Sequence, residues 1–345
     1  MANRWKGNLV SATAATSSGT VKTGKANGVW GLNSQIQQKK ANLWSIVPPV
    51  PSPAPVITSV VPFNNGARVN FIPPVDNILN ITYVVTAMPG NITSGSGSGI
   101  GNYINLYGLT NFTSYTFTVT ATNNYNESAT SEPSSNIMIE PAIGEASNGG
   151  FFAGKIMENG SMYALIISPK ATGMFTNKTM GNNVNIPPIQ PLSTFDGLAN
   201  TNALVTANSS GALAGTFSGA ASCRNLTTGG YNDWYMPARY EMEVLYYFLK
   251  PTTQNNIATG GNNPYAVAPE PVNTLYTASA PPQTSVDIFK TGGSESLEAL
   301  QYWVSNMWQQ DLISDWTAFG AQYGRQYFTA WNNAFNIRAI RKILI

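Results

Sequence analysis

A chain of 345 residues with no histidine has few catalytic chemistries open to it. Ser-His-Asp catalysis, imidazole acid–base work and histidine metal sites are all excluded. One cysteine, Cys223, leaves no partner for an intrachain disulfide and no thiolate set for zinc, and it reads as a small buried residue. The acidic residues remain. Glu241 and Glu243 stand two apart in a segment read as helix, so they point to different faces and cannot pair as acid and base. They read instead as an acidic first turn at the positive end of the helix dipole. Asp233, beside Trp234, reads as a turn or cap residue, and Glu295 and Glu298 as a polar helix start or loop. Residues 95–101 are Gly-rich but lack the Lys and the strand–helix setting of a phosphate loop. No catalytic residue, metal ligand or cofactor is expected.

The richer constellation is aromatic. Trp303, Trp308, Trp316, Tyr323, Tyr327, Phe328 and Trp331 crowd into one stretch. Trp303 and Trp316 read as core. Trp308, Tyr323, Tyr327 and Trp331 fall among Gln and Asn, in segments read as loops, together with Asn332 and Asn333. Aromatics among amides supply the large apolar faces and adaptable hydrogen bonds of carbohydrate- and protein-binding surfaces. Two readings stay open with equal weight: a receptor surface, or packing between subunits of a homo-oligomer.

The composition sets the frame for these side chains. Charged residues make up 10% of the chain, against roughly 25% in average soluble proteins. Asn, Thr, Ser and Gly fill the gap, as in β-rich proteins with polar, uncharged surfaces. A net charge of +2 gives no clustered basic surface for nucleic acid. No apolar run approaches the roughly 18 residues of a membrane span, and residues 7–28 are too polar for the apolar core of a signal peptide. If the protein acts outside a cell, it leaves by lysis or as part of a particle.

Four segments follow along the chain. Residues 1–46 form a polar arm in which Ser34 could cap a short helix over 35–42. Its Trp30, Leu32, Ile36, Leu43 and Trp44 need a surface to pack on, either the rest of this chain or another protein; the Pro-rich linker at 47–55 that follows favours docking elsewhere. Residues 56–140 alternate with period two: Ala67, Val69 and Phe71, then 81–87, then Tyr115, Phe117, Val119 and Ala121, with turn signals between them. That spacing predicts an antiparallel sandwich. In residues 141–345 the turn at Glu158, Asn159 and Gly160 predicts a hairpin. Helices are expected near 198–206 and 219–226. Met242, Leu245, Tyr246 and Leu249 mark one helical face, with Pro237 suited to the first helical position. A strand with Trp316 and a closing strand over 336–342 end the chain.

Leu109, six residues before a strand-opening Tyr115, followed by an alternating strand and the polar turn at 123–131, resembles the fibronectin type III family. The resemblance covers about 85 residues and implies a spacer or binding module without chemistry; no core Trp stands on an early strand, and 95–101 is loose for the family. Farther on, Asp233, Trp234, Tyr235, Met236 and Pro237 precede a helix. They are followed in order by Tyr302, Trp303, Val304 and Ser305, by a Trp316 strand, and by Ile337, Arg338, Ala339, Ile340 and Arg341. This series resembles the C-terminal domain family of collagen-like bacterial adhesins, which recurs in phage structural proteins and implies a C-type-lectin-like fold. Sugar-binding C-type lectins hold calcium with Glu-Pro-Asn and Trp-Asn-Asp elements. Here Glu270, Pro271 and Val272, and Trp331, Asn332 and Asn333, lack the needed oxygens, so no calcium site is expected. The arm, with Ser18, Gly19 and Thr20, then Val29 and Trp30 and a Gln-rich stretch to Trp44, resembles leader segments of marine phage structural proteins.

The expectation is therefore mostly β with some α: a fibronectin type III sandwich followed by an α+β C-type-lectin-like domain. The implied role is a non-enzymatic bacteriophage virion protein (fibre, appendage or head decoration) at the virion surface. It would attach to other virion proteins through residues 1–46 and present a head to a host glycan or protein, as a homo-oligomer for which a trimer is one form. The alternatives are an architectural cement or adaptor, a cell-surface adhesin, or an enzyme acting on polysaccharide.

Overall fold

The computed structural model describes residues 54–74, 81–95, 102–124, 126–181, 193–209, 211, 214–310 and 313–345, with 308–310 and 313–316 described for the backbone alone. The arm, with Trp30, Leu32, Ile36, Leu43 and Trp44, and the linker up to residue 53 lie outside the described residues. The fold is mostly β with some α, in four sheets.

Two sheets form the N-terminal sandwich. β1 (Val56–Phe63), β2 (Gly66–Ile72) and β5 (Tyr103–Tyr107) make one, in the order β1-β2-β5. β3 (Thr82–Met88), β4 (Ile92–Thr93), β6 (Ser114–Thr122) and β7 (Ser128–Thr130) make the other, in the order β4-β3-β6-β7, with β8 (Ile137–Met138) also paired to β6. The period-two pattern becomes burial: Ala67, Val69, Phe71, Val85, Phe117, Val119 and Ala121 share one core, and the threonines between them face out. Leu109 belongs to this core, and the Tyr115 hydroxyl accepts from the Thr110 backbone N–H at 3.2 Å, pinning the loop to the strand that follows it.

The remaining sheets belong to the head. β9 (Ala146–Ser147), β10 (Gly150–Glu158), β11 (Ser161–Ile167) and β17 (Ile340–Leu344) pair in the order β17-β11-β10-β9. The last strand of the chain thus closes on the hairpin that opens the head, with Leu165 opposite Lys342. Asn159 and Gly160, with φ of 48° and 82°, form the two-residue turn that the right-handed twist of a hairpin favours. The second sheet, β12-β16-β13-β14-β15, comprises β12 (Met174–Lys178), β13 (Gln301–Gln310), β14 (Ile313–Gly320), β15 (Arg325–Thr329) and β16 (Phe335–Arg338). The expected single closing strand is in fact two. The chain breaks at Ala339, whose N–H bonds Gly173, so that β16 pairs with β12 and β17 with β11.

Among the described residues three longer helices pack on these sheets, α1 (Gly197–Asn208), α2 (Ser218–Arg224) and α3 (Arg239–Leu249), and a single helical turn at Lys170–Gly173 leads into β12. On α3 the expected face is sealed: Met242, Leu245, Tyr246 and Leu249 are wholly buried. Burying each such side chain contributes about 1.5–3 kcal/mol. The helix starts later than expected. Ala238 is its N-cap, so Pro237 precedes the helix rather than occupying its first position, and the Pro237 carbonyl accepts from Ser305 N–H of β13. Cys223 is buried in α2, where burial pushes its thiol far up and leaves it inert.

Candidate functional site

Polar chemistry in the head is concentrated around α3, and nearly all of it is sealed. Glu241 accepts from Ala238 N–H at 2.7 Å, Gly197 N–H at 3.0 Å and the Tyr235 hydroxyl at 2.6 Å. Burial pushes its carboxyl up to about 8 despite those donors. Glu243 faces away from Glu241, as their spacing requires. It accepts from Asn263 Nδ2 at 2.7 Å and from the Tyr276 hydroxyl. The same Asn263 amide reaches Glu270 at 3.5 Å, so Glu243 and Glu270 lie against each other in the interior. Burial first, and then Glu243, push the Glu270 carboxyl far above the carboxylate range. Glu241 and Glu243 are thus more than an acidic first turn: they are the internal acceptors that hold residues 197 and 263–276 against α3.

Several other acids of the head are also committed. Asp233 grips Arg341 through both carboxylate oxygens, at 2.7 and 2.9 Å, and that guanidinium lies 3.8 Å from the Tyr231 ring centroid. Glu295 pairs with the buried Arg338 at 2.7 Å, and Glu298 with Lys170. Glu295 and Glu298 occupy a loop, not a helix start. Lys342 bridges Glu158 and Asp196; burial opposes its charge, but the Glu158 bond and neighbouring Glu241 outweigh that and raise it. Among the described residues no group of three or more acidic or cysteine side chains stands ready to hold a metal. Glu270 and Asn333 have separate partners, the latter bonded to Thr329 and Ala330 within its own turn.

The aromatic residues are distributed from the central strand of the second sheet to the turns beside its β15 edge. Trp303 is core, its indole N–H on the Lys178 carbonyl at 2.7 Å. Trp308 lies in β13, not in a loop, and Trp316 in β14, a strand as expected; their side chains are outside the described residues. Tyr323 sits in the turn between β14 and β15 and is 37% exposed. Its carbonyl accepts from Ile257 N–H, which ties the turn to the irregular segment after α3. Tyr327 is within β15 rather than a loop; it and Trp331 are half-buried against the head core, and Arg325 lies over the Tyr327 ring at 5.1 Å. Phe328 faces the opposite side of β15 and is 39% exposed. Asn332 is exposed, and Trp331 is anchored through its carbonyl by Met180 N–H. The structure therefore splits the expected group: Tyr323 and Asn332 present themselves, Tyr327, Trp331 and Asn333 support them, and Phe328 joins the surface. Strand alternation around Tyr327 is the signal that could have found Phe328.

No protein-family model and no curated protein sequence matches the chain. Solved structures resemble it in part, among them the chitinase ChiA74 from Bacillus thuringiensis, at 15% identity and a TM-score of 0.23. The match covers 50% of this chain and 26% of the chitinase; a likeness that low carries no argument about activity.

Proposed function

We propose that the chain is a non-enzymatic bacteriophage virion protein whose residues 1–46 attach to the particle and whose head meets the host surface. The observation that carries this reading is the edge of the head. β15 is the last strand of its sheet, and it and its two flanking turns expose Tyr323, Phe328 and Asn332. Among the described acids of the head, by contrast, Glu158, Glu241, Glu243 and Glu270 are buried and Asp196, Asp233, Asp287, Glu295 and Glu298 are held in ion pairs, and the Glu243–Glu270 pair is closed off where a glycosidase would need carboxylates across an open cleft. The fibronectin type III resemblance is supported by the Tyr115–Thr110 bond and by the strand orders β1-β2-β5 and β4-β3-β6-β7. The lectin-like resemblance is supported by pairing of β17 with the opening hairpin. Weak sites on many copies would give strong attachment.

A second reading rests on the same edge. An edge strand with apolar side chains is also a template for packing against a neighbouring copy, which would make the protein architectural cement. Adsorption of the source particles to host cells separates the two. Purified full-length chain should compete with particles, and the double substitution Tyr323→Ala with Asn332→Ala should weaken competition about tenfold or more, since lost site affinity multiplies across copies. No competition by the native chain, with β15 buried between subunits in particle density, would replace host binding with cement. Glycan depolymerisation abolished by one Asp or Glu substitution would overturn both.

A further inference from the structure

We propose that the outer face of the three-stranded sheet of the sandwich is a second binding site, built for a linear polysaccharide that carries carboxylate groups. Strand register puts three cross-strand rows on this face: Ser59–Asn70–Tyr103, Val61–Arg68–Asn105 and Phe63–Gly66–Tyr107. The head does not cover it, for Tyr107 is 65% exposed and Tyr103 39%. These two rings stand four residues apart on β5, about 13 Å at the strand rise, and Asn105 lies midway between them. A sugar chain running along β5 meets a ring, then an amide beside a guanidinium, then a ring. Aromatic faces receive the C–H faces of sugars, while amides and guanidinium bond their hydroxyl and carboxylate oxygens.

The groups are preset. The Arg68 guanidinium lies over the Tyr103 ring, 4.3 Å from its centroid, and its Nε donates to Asn105 Oδ1 at 3.2 Å. The Asn105 amide reaches the Tyr107 hydroxyl at 3.4 Å, and Asn70 donates to Ser59 at 2.9 Å. At the far end, the Phe63 ring packs at a tilt of 59° against Tyr107, with centroids 5.4 Å apart. Gly66 is required there, because a Cβ would stand 2.3 Å from the Phe63 ring. Fixing side chains before binding removes part of the entropy cost of association.

The charge selects the class of ligand. Arg68 is the one charged side chain in the three rows, and among the described residues it forms no ion pair. Its remaining guanidinium N–H donors suit a carboxylate, which accepts two parallel bonds. A single cation is too little for a nucleic acid, whose binding scales with the phosphates neutralised. The sandwich is then more than a spacer, and the site is independent of the β15 edge.

The test is titration calorimetry of the full chain with alginate oligosaccharides and with the same oligosaccharides after their carboxyl groups are reduced to alcohols. Acidic oligosaccharide should bind, and the reduced form about tenfold more weakly or worse, as expected for loss of charge-assisted bonds. Arg68→Gln should erase the difference between the two forms, and Tyr107→Ala should weaken both. Leu275→Ala, on the exposed surface of the head, should leave both affinities unchanged. All three positions are exposed, so unchanged melting temperatures check the fold. Absence of binding to the acidic form, equal binding of both forms, or affinities indifferent to Arg68→Gln and Tyr107→Ala would each overturn the proposal.

Discussion

Glu270 couples the acidity of the medium to the stability of the head. Its carboxyl is held far above the ordinary carboxylate range by burial and by Glu243, so the folded chain keeps a proton that the unfolded chain releases. Stability from this group is complete below the unfolded value, and it is lost progressively as pH rises toward the folded one. Glu241, at about 8, acts in the same direction over a narrower window. The melting temperature should therefore be higher near about pH 5 than near about pH 8.5. Glu270→Gln keeps the shape of the protonated acid and adds an amide donor toward Glu243. It should flatten that slope and melt above the parent at the alkaline end; an unchanged slope would show that Glu270 is ionised in the folded protein.

The contact of α3 with β10 depends on a residue with no side chain. Gly154 sits at the register shift in β10 with φ of 124°. A Cβ there would stand 2.7 Å from both the Phe248 ring and Val244. Gly154→Ala should therefore combine backbone strain with overpacking and cost about 2 kcal/mol or more, read as a lower denaturant midpoint. The substitution Gly160→Ala makes a useful contrast: φ is also positive there, but the space around Gly160 is open, so only the strain remains. The four-residue periodicity of α3 was legible from Met242 to Leu249. The need for glycine opposite it was not, because period-two alternation in β10 gives no sign of how closely a helix approaches.

Sandwich and head are joined by a small polar knot and one ring. Asn111 donates to Asn64 at 2.7 Å and to Ser147 at 3.0 Å, and accepts from Asn65 N–H at 2.8 Å. Phe112, held at φ of 61°, turns its ring against Phe152 in the head core, with centroids 5.4 Å apart. A bulky residue in that backbone region persists only where its surroundings enforce it. Asn111→Ala should release the junction without unfolding either part, giving faster limited proteolysis across 140–146 while the melting temperature of the head stays the same. Unaltered cleavage would mean that Phe112 and the bond from the Asn64 amide to the Ala146 carbonyl hold the joint without it. The motif around Leu109 and Tyr115 pointed to a sandwich, but Asn111 within it had no visible purpose, because its partner Ser147 lies beyond the last sandwich strand.

Local chemistry decided much of this protein from the sequence alone. Alternation around Val69, Val85 and Phe117 determined the strands of the sandwich, and Leu109 and Tyr115 determined how one loop returns to its strand. Asn159 and Gly160 determined a hairpin turn, and the absence of histidine excluded whole classes of mechanism. These signals are short-range: each depends on side-chain period or on one backbone preference. Tertiary structure alone decided the break at Ala339, the burial of Glu270 beside Glu243, the bond from Asp233 to Arg341, and the row of Tyr103, Asn105 and Tyr107 beside Arg68. Each requires partners from distant parts of the chain, and whether a polar side chain is buried, paired or displayed is settled by what packs beside it.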